Sequence, residues 1–194
     1  MEPMEMMCML SHSVYMIQMV ISWSVIKGFN FMEDGLTTTP VSRITLFCRD
    51  LDQSLELYRD ILGFKEIENK TIQSKEFNKL MNIEDENCFV RISYLQSEES
   101  EYGLIALFEV NANNIDKNES FEKPTIQYGQ SVIVLNTKDH QRIYQVLKRK
   151  GYEFLVEPTV YEKEGDSEYI KAGLYKEMSF YDHDGFLINL IEYN

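Results

Sequence analysis

The sequence predicts an α+β fold of two tandem βαβββ modules forming a curled mixed sheet around a cleft, and three observations carry that prediction. Residues 41–67 (VSRITLFCRDLDQSLELYRDILGFKEI) and 130–154 (QSVIVLNTKDHQRIYQVLKRKGYEF) run through the same order: extended segment, Asp-led helix, glycine, extended segment. Such a repeat obliges both copies to bury equivalent faces. Gly63 and Gly151 stand where a left-handed residue stops each helix, and apolar runs after each glycine supply the remaining strands.

In the first copy, Val41–Cys48 alternates, with Ile44, Leu46 and Cys48 on one side and Arg43, Thr45 and Phe47 on the other. The first set is expected to face the helix. Asp50 or Asp52 caps that helix, which carries Leu51, Leu55, Tyr58 and Leu62 along one stripe. Strands are expected near 64–72, 88–95 and 103–110, with a short helical insert near 76–81. The second copy places a strand at 131–136, a cap at Asp139, and a helix with Ile143, Val146 and Leu147 inward. Lys148, Arg149 and Lys150 lie at the negative end of that helix's dipole. Its later strands are expected near 152–157, 177–181 and 186–193. The polar stretch between the copies reads as a surface linker, giving modules 41–110 and 130–194 joined by 111–129.

A formal charge of -13 opposes the phosphate-neutralising surface that nucleic-acid binding requires. Three widely spaced cysteines, Cys8, Cys48 and Cys88, form no CxxC pair and suggest neither a disulfide framework nor a zinc knuckle. A cytoplasmic location follows as the expectation, with Cys48 an ordinary buried thiol. Residues 1–40 read as a poorly ordered or peripherally packed extension. Met6–Ile26 lacks formal charge over the length of a membrane span, but Ser11, His12, Ser13, Gln18, Ser22 and Ser24 interrupt it, and Glu2 and Glu5 stand where a signal peptide would be basic. A membrane role is therefore not expected. Met32, ahead of a short polar leader, is an alternative natural start.

Two motifs add a resemblance. Arg49–Phe64 (RDLDQSLELYRDILGF) ends in the pattern YxxxLGF, and Tyr181–Glu192 (YDHDGFLINLIE) is similar to a closing DPDG turn and strand. In these the chain resembles the vicinal oxygen chelate superfamily of glyoxalase I, extradiol dioxygenases, fosfomycin-resistance and bleomycin-binding proteins. The resemblance implies a cleft in which metal-using members place His, Glu or Gln on the first and last strands of each module. The matching positions here are Arg43, Ala106, Val132 and Asn189. Arginine has no lone pair to offer, alanine and valine have no donor, and Asn189 brings one weak carbonyl. The expectation is no cofactor and no metal of the usual kind.

Arg43 is expected to project into the cleft, where its guanidinium suits a carboxylate, phosphate or enolate. The competing reading pairs it with Glu109 or another acidic neighbour, or leaves it as a charge at the strand's solvent end. Thr45, Phe47, Phe108, Val134 and Asn136 alternate in phase with the four positions and are read as lining the same cavity or, equally, as core. His140 and His183 read as exposed or turn-stabilising, and the long segment 159–175 as a surface excursion or a lid.

Three functions compete on these residues. One is a metal-independent binder of a small organic molecule, with the acidic surface drawing a cationic aromatic compound. Another is an enzyme, of lyase, isomerase or dioxygenase type, using a relocated metal or acid–base groups among Glu109, Asn189, His183 and the tyrosines. The third is a partner-binding domain whose cleft is filled by its own side chains or by the N-terminal segment. Exposed strand edges also make a homodimer an expected partner arrangement.

Overall fold

In the computed structural model, which describes residues 41–97, 103–113, 115, 126 and 128–193, the first copy opens with strand β1 (Arg43–Cys48). Asp50 caps the helix that follows: its Oδ1 accepts from the backbone N–H of Asp52 at 2.9 Å and of Gln53 at 3.1 Å. Helix α1 begins as one α-helical turn (Leu51–Leu55) and widens into a π-helical stretch (Glu56–Ile61). Its last bonds run from Leu62 N–H to the Leu57 carbonyl and from Phe64 N–H to that of Tyr58. The wider turn brings two adjacent residues, Leu57 and Tyr58, to the buried side together. Leu57 thus takes the place expected for Leu62, which is only half-buried.

Strands β2 (Lys65–Ile72), β3 (Phe89–Gln96) and β4 (Leu104–Asn111) complete the first copy, with helix α2 (Lys75–Leu80) inserted between β2 and β3. The second copy is β5 (Val132–Asn136), α3 (His140–Arg149), β6 (Phe154–Lys163), β7 (Gly173–Tyr181) and β8 (Leu187–Tyr193). The α+β class and the doubled βαβββ order are as read. Hydrogen bonding divides the strands into two four-stranded mixed sheets, ordered β1-β4-β3-β2 and β5-β8-β7-β6. In each, the first and last strands of the copy pair in parallel and the other neighbours antiparallel. Gly63 and Gly151, at φ 82° and 80°, end α1 and α3 in the left-handed conformation that side chains disfavour.

Several expectations need correction. Asp139 stands at the N-cap of α3 but its side chain makes no capping bond; instead its N–H donates to Thr137 Oγ1 at 3.0 Å. His140, read as exposed, is fully buried. The segment 159–175 is largely the β6–β7 hairpin, leaving 164–172 as its loop. The expectations for residues 1–40, including the run Met6–Ile26, and for 116–125 lie outside the described residues. No helix among the described residues is long and apolar enough to cross a membrane.

One apolar core joins the two copies. Leu46, Cys48, Leu95, Ile105 and Leu107 on one sheet and Ile133, Met178, Phe180, Ile188 and Leu190 on the other share it with side chains of α1 and α3. Burying this surface is the main favourable term in folding. A second cluster exists on the opposite face of the first sheet, where Phe77 and Met81, from α2 and its C-terminal end, pack against Cys88, Val90, Ile92, Ala106, Phe108 and Val110.

Polar ties reinforce the joint. The β7–β8 turn sends Asp182 and Asp184 to the first copy. Tyr58 donates its hydroxyl to Asp182 Oδ2 at 2.8 Å, and Arg49 donates its backbone N–H to Asp184 Oδ1 at 3.0 Å, with its Nε at 3.1 Å. Lys150, after α3, pairs with Glu56 of α1.

Candidate functional site

Strand register assigns the expected site residues to faces. Arg43, Thr45 and Phe47 of β1 pair with Leu104, Ala106 and Phe108 of β4, so these residues share the face of the first sheet that points away from α1. Val132 and Val134 pair with Leu187 and Asn189, which places them on the corresponding face of the second sheet. Both β1 and β5 are edge strands.

The two faces are finished differently. On the first, Phe108 is buried, ringed by Phe47 at 6.0 Å, Phe77 at 6.4 Å and Tyr94 at 6.4 Å between centroids. Ala106 is wholly covered, while Phe47 remains 55% exposed and Arg43 and Thr45 half-buried. On the second, Val132 and Val134 are 41% and 57% exposed. Asn189 donates its Nδ2 to Ser179 Oγ at 3.0 Å. The structure therefore brings Arg43, Thr45, Phe47, Ala106 and Phe108 together on one sheet, and Val132, Val134 and Asn189 on the other.

These positions do not suit a divalent ion. Ala106 and Val132 bring no donor atom, Arg43 brings only N–H groups, and Asn189 brings a single weak carbonyl oxygen, which cannot hold an ion alone. Among the described residues, no three of His, Cys, Asp and Glu gather in a metal-holding group.

Glu109 does not meet Arg43. It pairs in register with Cys48, hence lies on the α1 side of the sheet, one residue out of phase with Phe108. There its Oε2 accepts from Leu51 N–H at 3.2 Å and from Arg91 Nη1 at 2.9 Å. A carboxylate at the first turn of a helix stabilises the unbonded N–H groups and the positive end of its dipole. Glu109, a candidate acid–base residue in the sequence, is thus a helix cap. His183 is exposed in the β7–β8 turn, its ring 4.7 Å from that of Tyr152.

Two residues the sequence reading missed complete the first face. Tyr94 of β3 pairs with Ala106, and the Arg43 guanidinium carbon lies 5.7 Å from its ring centroid. Lys70 of β2 brings its ammonium to 5.2 Å of the same ring while pairing with Glu68 at 2.7 Å. Only the strand register reveals this cluster, since 43, 70 and 94 have no sequence relation. Among the buried groups, desolvation pushes the Cys48 thiol up to about 12, which holds it protonated and unreactive. Burial, and then the nearby Lys176 ammonium, lower the pKa of His140; both its ring nitrogens are buried without a hydrogen bond.

The fold has known counterparts. A glyoxalase family protein from Bacillus cereus superposes with a TM-score of 0.63 at 13% identity, covering 84% of this chain and 99% of that one. A glyoxalase/dioxygenase from Nostoc punctiforme superposes with a TM-score of 0.50 at 15% identity, covering 86% and 99%. At a TM-score of 0.45 and 16% identity, the fosfomycin resistance protein FosX from Listeria monocytogenes covers 84% and 95%. No curated protein matches the sequence. A family model described as Glyoxalase/Bleomycin resistance protein/Dioxygenase superfamily matches residues 41–190. With the doubled βαβββ order and the two motifs flanking it, this match establishes that the chain belongs to the glyoxalase/bleomycin resistance protein/dioxygenase superfamily.

Proposed function

We propose that this protein binds a small organic molecule against the half-open faces of its two sheets, without the divalent ion that metal-using members of its superfamily hold there. The observation that carries the reading is the side-chain set at the four ligand positions: Ala106 is covered and brings no donor, while Arg43, Val132 and Asn189 offer recognition surface in place of coordination. Exposed Phe47, Val132 and Val134 provide apolar area, and Arg43, Thr45 and Asn189 a few polar fixtures, the balance usual in small-molecule sites. Glu109, buried beneath α1, is removed from any catalytic role at these faces, which favours binding over acid–base turnover. The reading includes a cytoplasmic setting, supported by Cys48 and Cys88 as free, buried thiols, and a homodimer, supported by sheet edges at β1, β2, β5 and β6.

The test is to purify the full chain, denature it, and identify released small molecules by mass spectrometry alongside elemental analysis. A retained organic compound with substoichiometric divalent metal is the expected result. A stoichiometric iron, zinc, nickel or manganese overturns the metal-free reading. Absence of any retained compound, together with silence in calorimetry against an aromatic panel, overturns the binding reading.

A further inference from the structure

Arg43 occupies an unusual electrostatic position. The chain carries 32 acidic against 19 basic residues, so a cation has carboxylates in excess to pair with. The other half-buried cations all have a partner: Arg49 with Asp184, Lys70 with Glu68, Arg91 with Asp52 and Glu109, Lys176 with Glu192, and Lys163 with the Gly165 carbonyl. Among the described residues, Arg43 is the one half-buried arginine or lysine with neither a carboxylate nor a hydrogen bond, and only the Tyr94 ring lies against its guanidinium.

That contact is informative about what remains. A cation–π contact takes up no N–H hydrogen bond, so the fixed fork of guanidinium donors is unspent. The Thr45 hydroxyl, two residues along the same face of β1, and the Tyr94 hydroxyl likewise make no hydrogen bond among the described residues. Lys70 flanks the same ring, and among the described residues its ion-pair partner is Glu68, so the ring carries two cations in a patch of an otherwise acidic chain. Four residues along the same face of β1 lies the exposed ring of Phe47, linked back to Tyr94 through Phe108, whose ring centroid is 6.0 Å from Phe47's and 6.4 Å from Tyr94's. A paired donor fork next to an aromatic wall suits a planar apolar body ending in a compact oxyanion.

The geometry points to a subsite for an anionic aromatic or planar compound, a carboxylate or phosphate ester, with its charged end on Arg43 and its body against Phe47. This rests on the proposed binding function and reverses the expectation of a cationic ligand, because the local charge at the face opposes the net charge of the chain.

Calorimetric titration of the full chain with four probes of one shape tests it: benzoate and phenyl phosphate as the two oxyanions, benzamide as the neutral isostere, benzamidine as the cation. At least one of the anions is expected to bind ten times or more tightly than benzamide, and Arg43→Gln to lose that advantage. Arg43→Lys, which keeps the charge but not the fork, is expected to retain part of it. An unchanged urea-unfolding midpoint of Arg43→Gln checks that the variant is still folded. Benzamide or benzamidine binding as tightly as the anions overturns the anion subsite while leaving the binding function standing. So does anion binding that Arg43→Gln leaves unchanged. Failure of all four probes also overturns the subsite, and the retained-compound experiment then decides separately whether the binding function falls with it.

Discussion

Replacing Tyr58 by alanine is expected to cost about 3–5 kcal/mol of stability, the range for emptying a large aromatic site in a close-packed core. The ring is fully buried among residues of both copies, so the void has walls from two sheets that share one core and cannot collapse independently. Loss of the ring also removes the hydrogen bond to Asp182. Tyr58→Phe separates the two contributions: it keeps the ring and leaves Asp182 Oδ2 short of a partner, for an expected cost of about 1–3 kcal/mol. Against a typical total of about 5–15 kcal/mol, the alanine variant should show a markedly lower denaturant midpoint. A Tyr58→Ala protein within 1 kcal/mol of wild type by urea unfolding would mean that the joint between the copies is not where stability resides.

Asp182 is the second large lever, through pH. Burial pushes its carboxyl up to about 6, partly offset by the Tyr58 hydroxyl and by the N–H groups of Phe186 and Asp184. A raised folded-state pKa means that between about 6 and 3.8 the folded protein holds a proton that the unfolded chain has released. Stability from this group therefore rises as pH falls through that window, and above it the full penalty of a buried charge is present. A shift of about two units corresponds to about 3 kcal/mol. His140 acts in the opposite sense: its pKa is lowered, so its contribution is lost as pH falls below the ordinary imidazole value. The wild-type curve sums the two, and Asp182→Asn isolates the first. The stability difference between wild type and Asp182→Asn should move toward the wild type by up to about 3 kcal/mol between pH 7 and pH 4. A constant difference across that range, measured by denaturation at each pH, would show that Asp182 titrates normally.

Much of the architecture was legible because local signals agreed with it. Asp50 and Gly63 bracket the first helix by capping chemistry that depends only on neighbouring residues. Alternation along β1 assigned Thr45 and Phe47 to one face and Leu46 and Cys48 to the other, as found. The failures have physical causes. β4 is covered on one face by the main core and on the other by the α2 cluster, so six of its residues in a row are buried and no alternation reveals that Glu109 faces α1. β6 has the reverse problem: as a solvent-facing edge strand it is mostly exposed, and its second half, running into the charged, glycine-containing stretch 162–165, reads as loop. The π-helical widening that buries Leu57 leaves no mark in a 3.6-residue pattern. Tyr94 meets Arg43 only across β4, a relation fixed by register and hence by tertiary structure.

The exchange of Asp182 and Asp184 across the joint has a further consequence. The buried Tyr58 hydroxyl of α1, and the Arg49 N–H just ahead of its N-cap, take their partners from the opposite repeat, so neither repeat owns a complete set of contacts. Severing the connection within 116–125 should yield two polypeptides that are incompetent apart and reconstitute one particle when mixed. A lone repeat would meet the same need only by recruiting a twin.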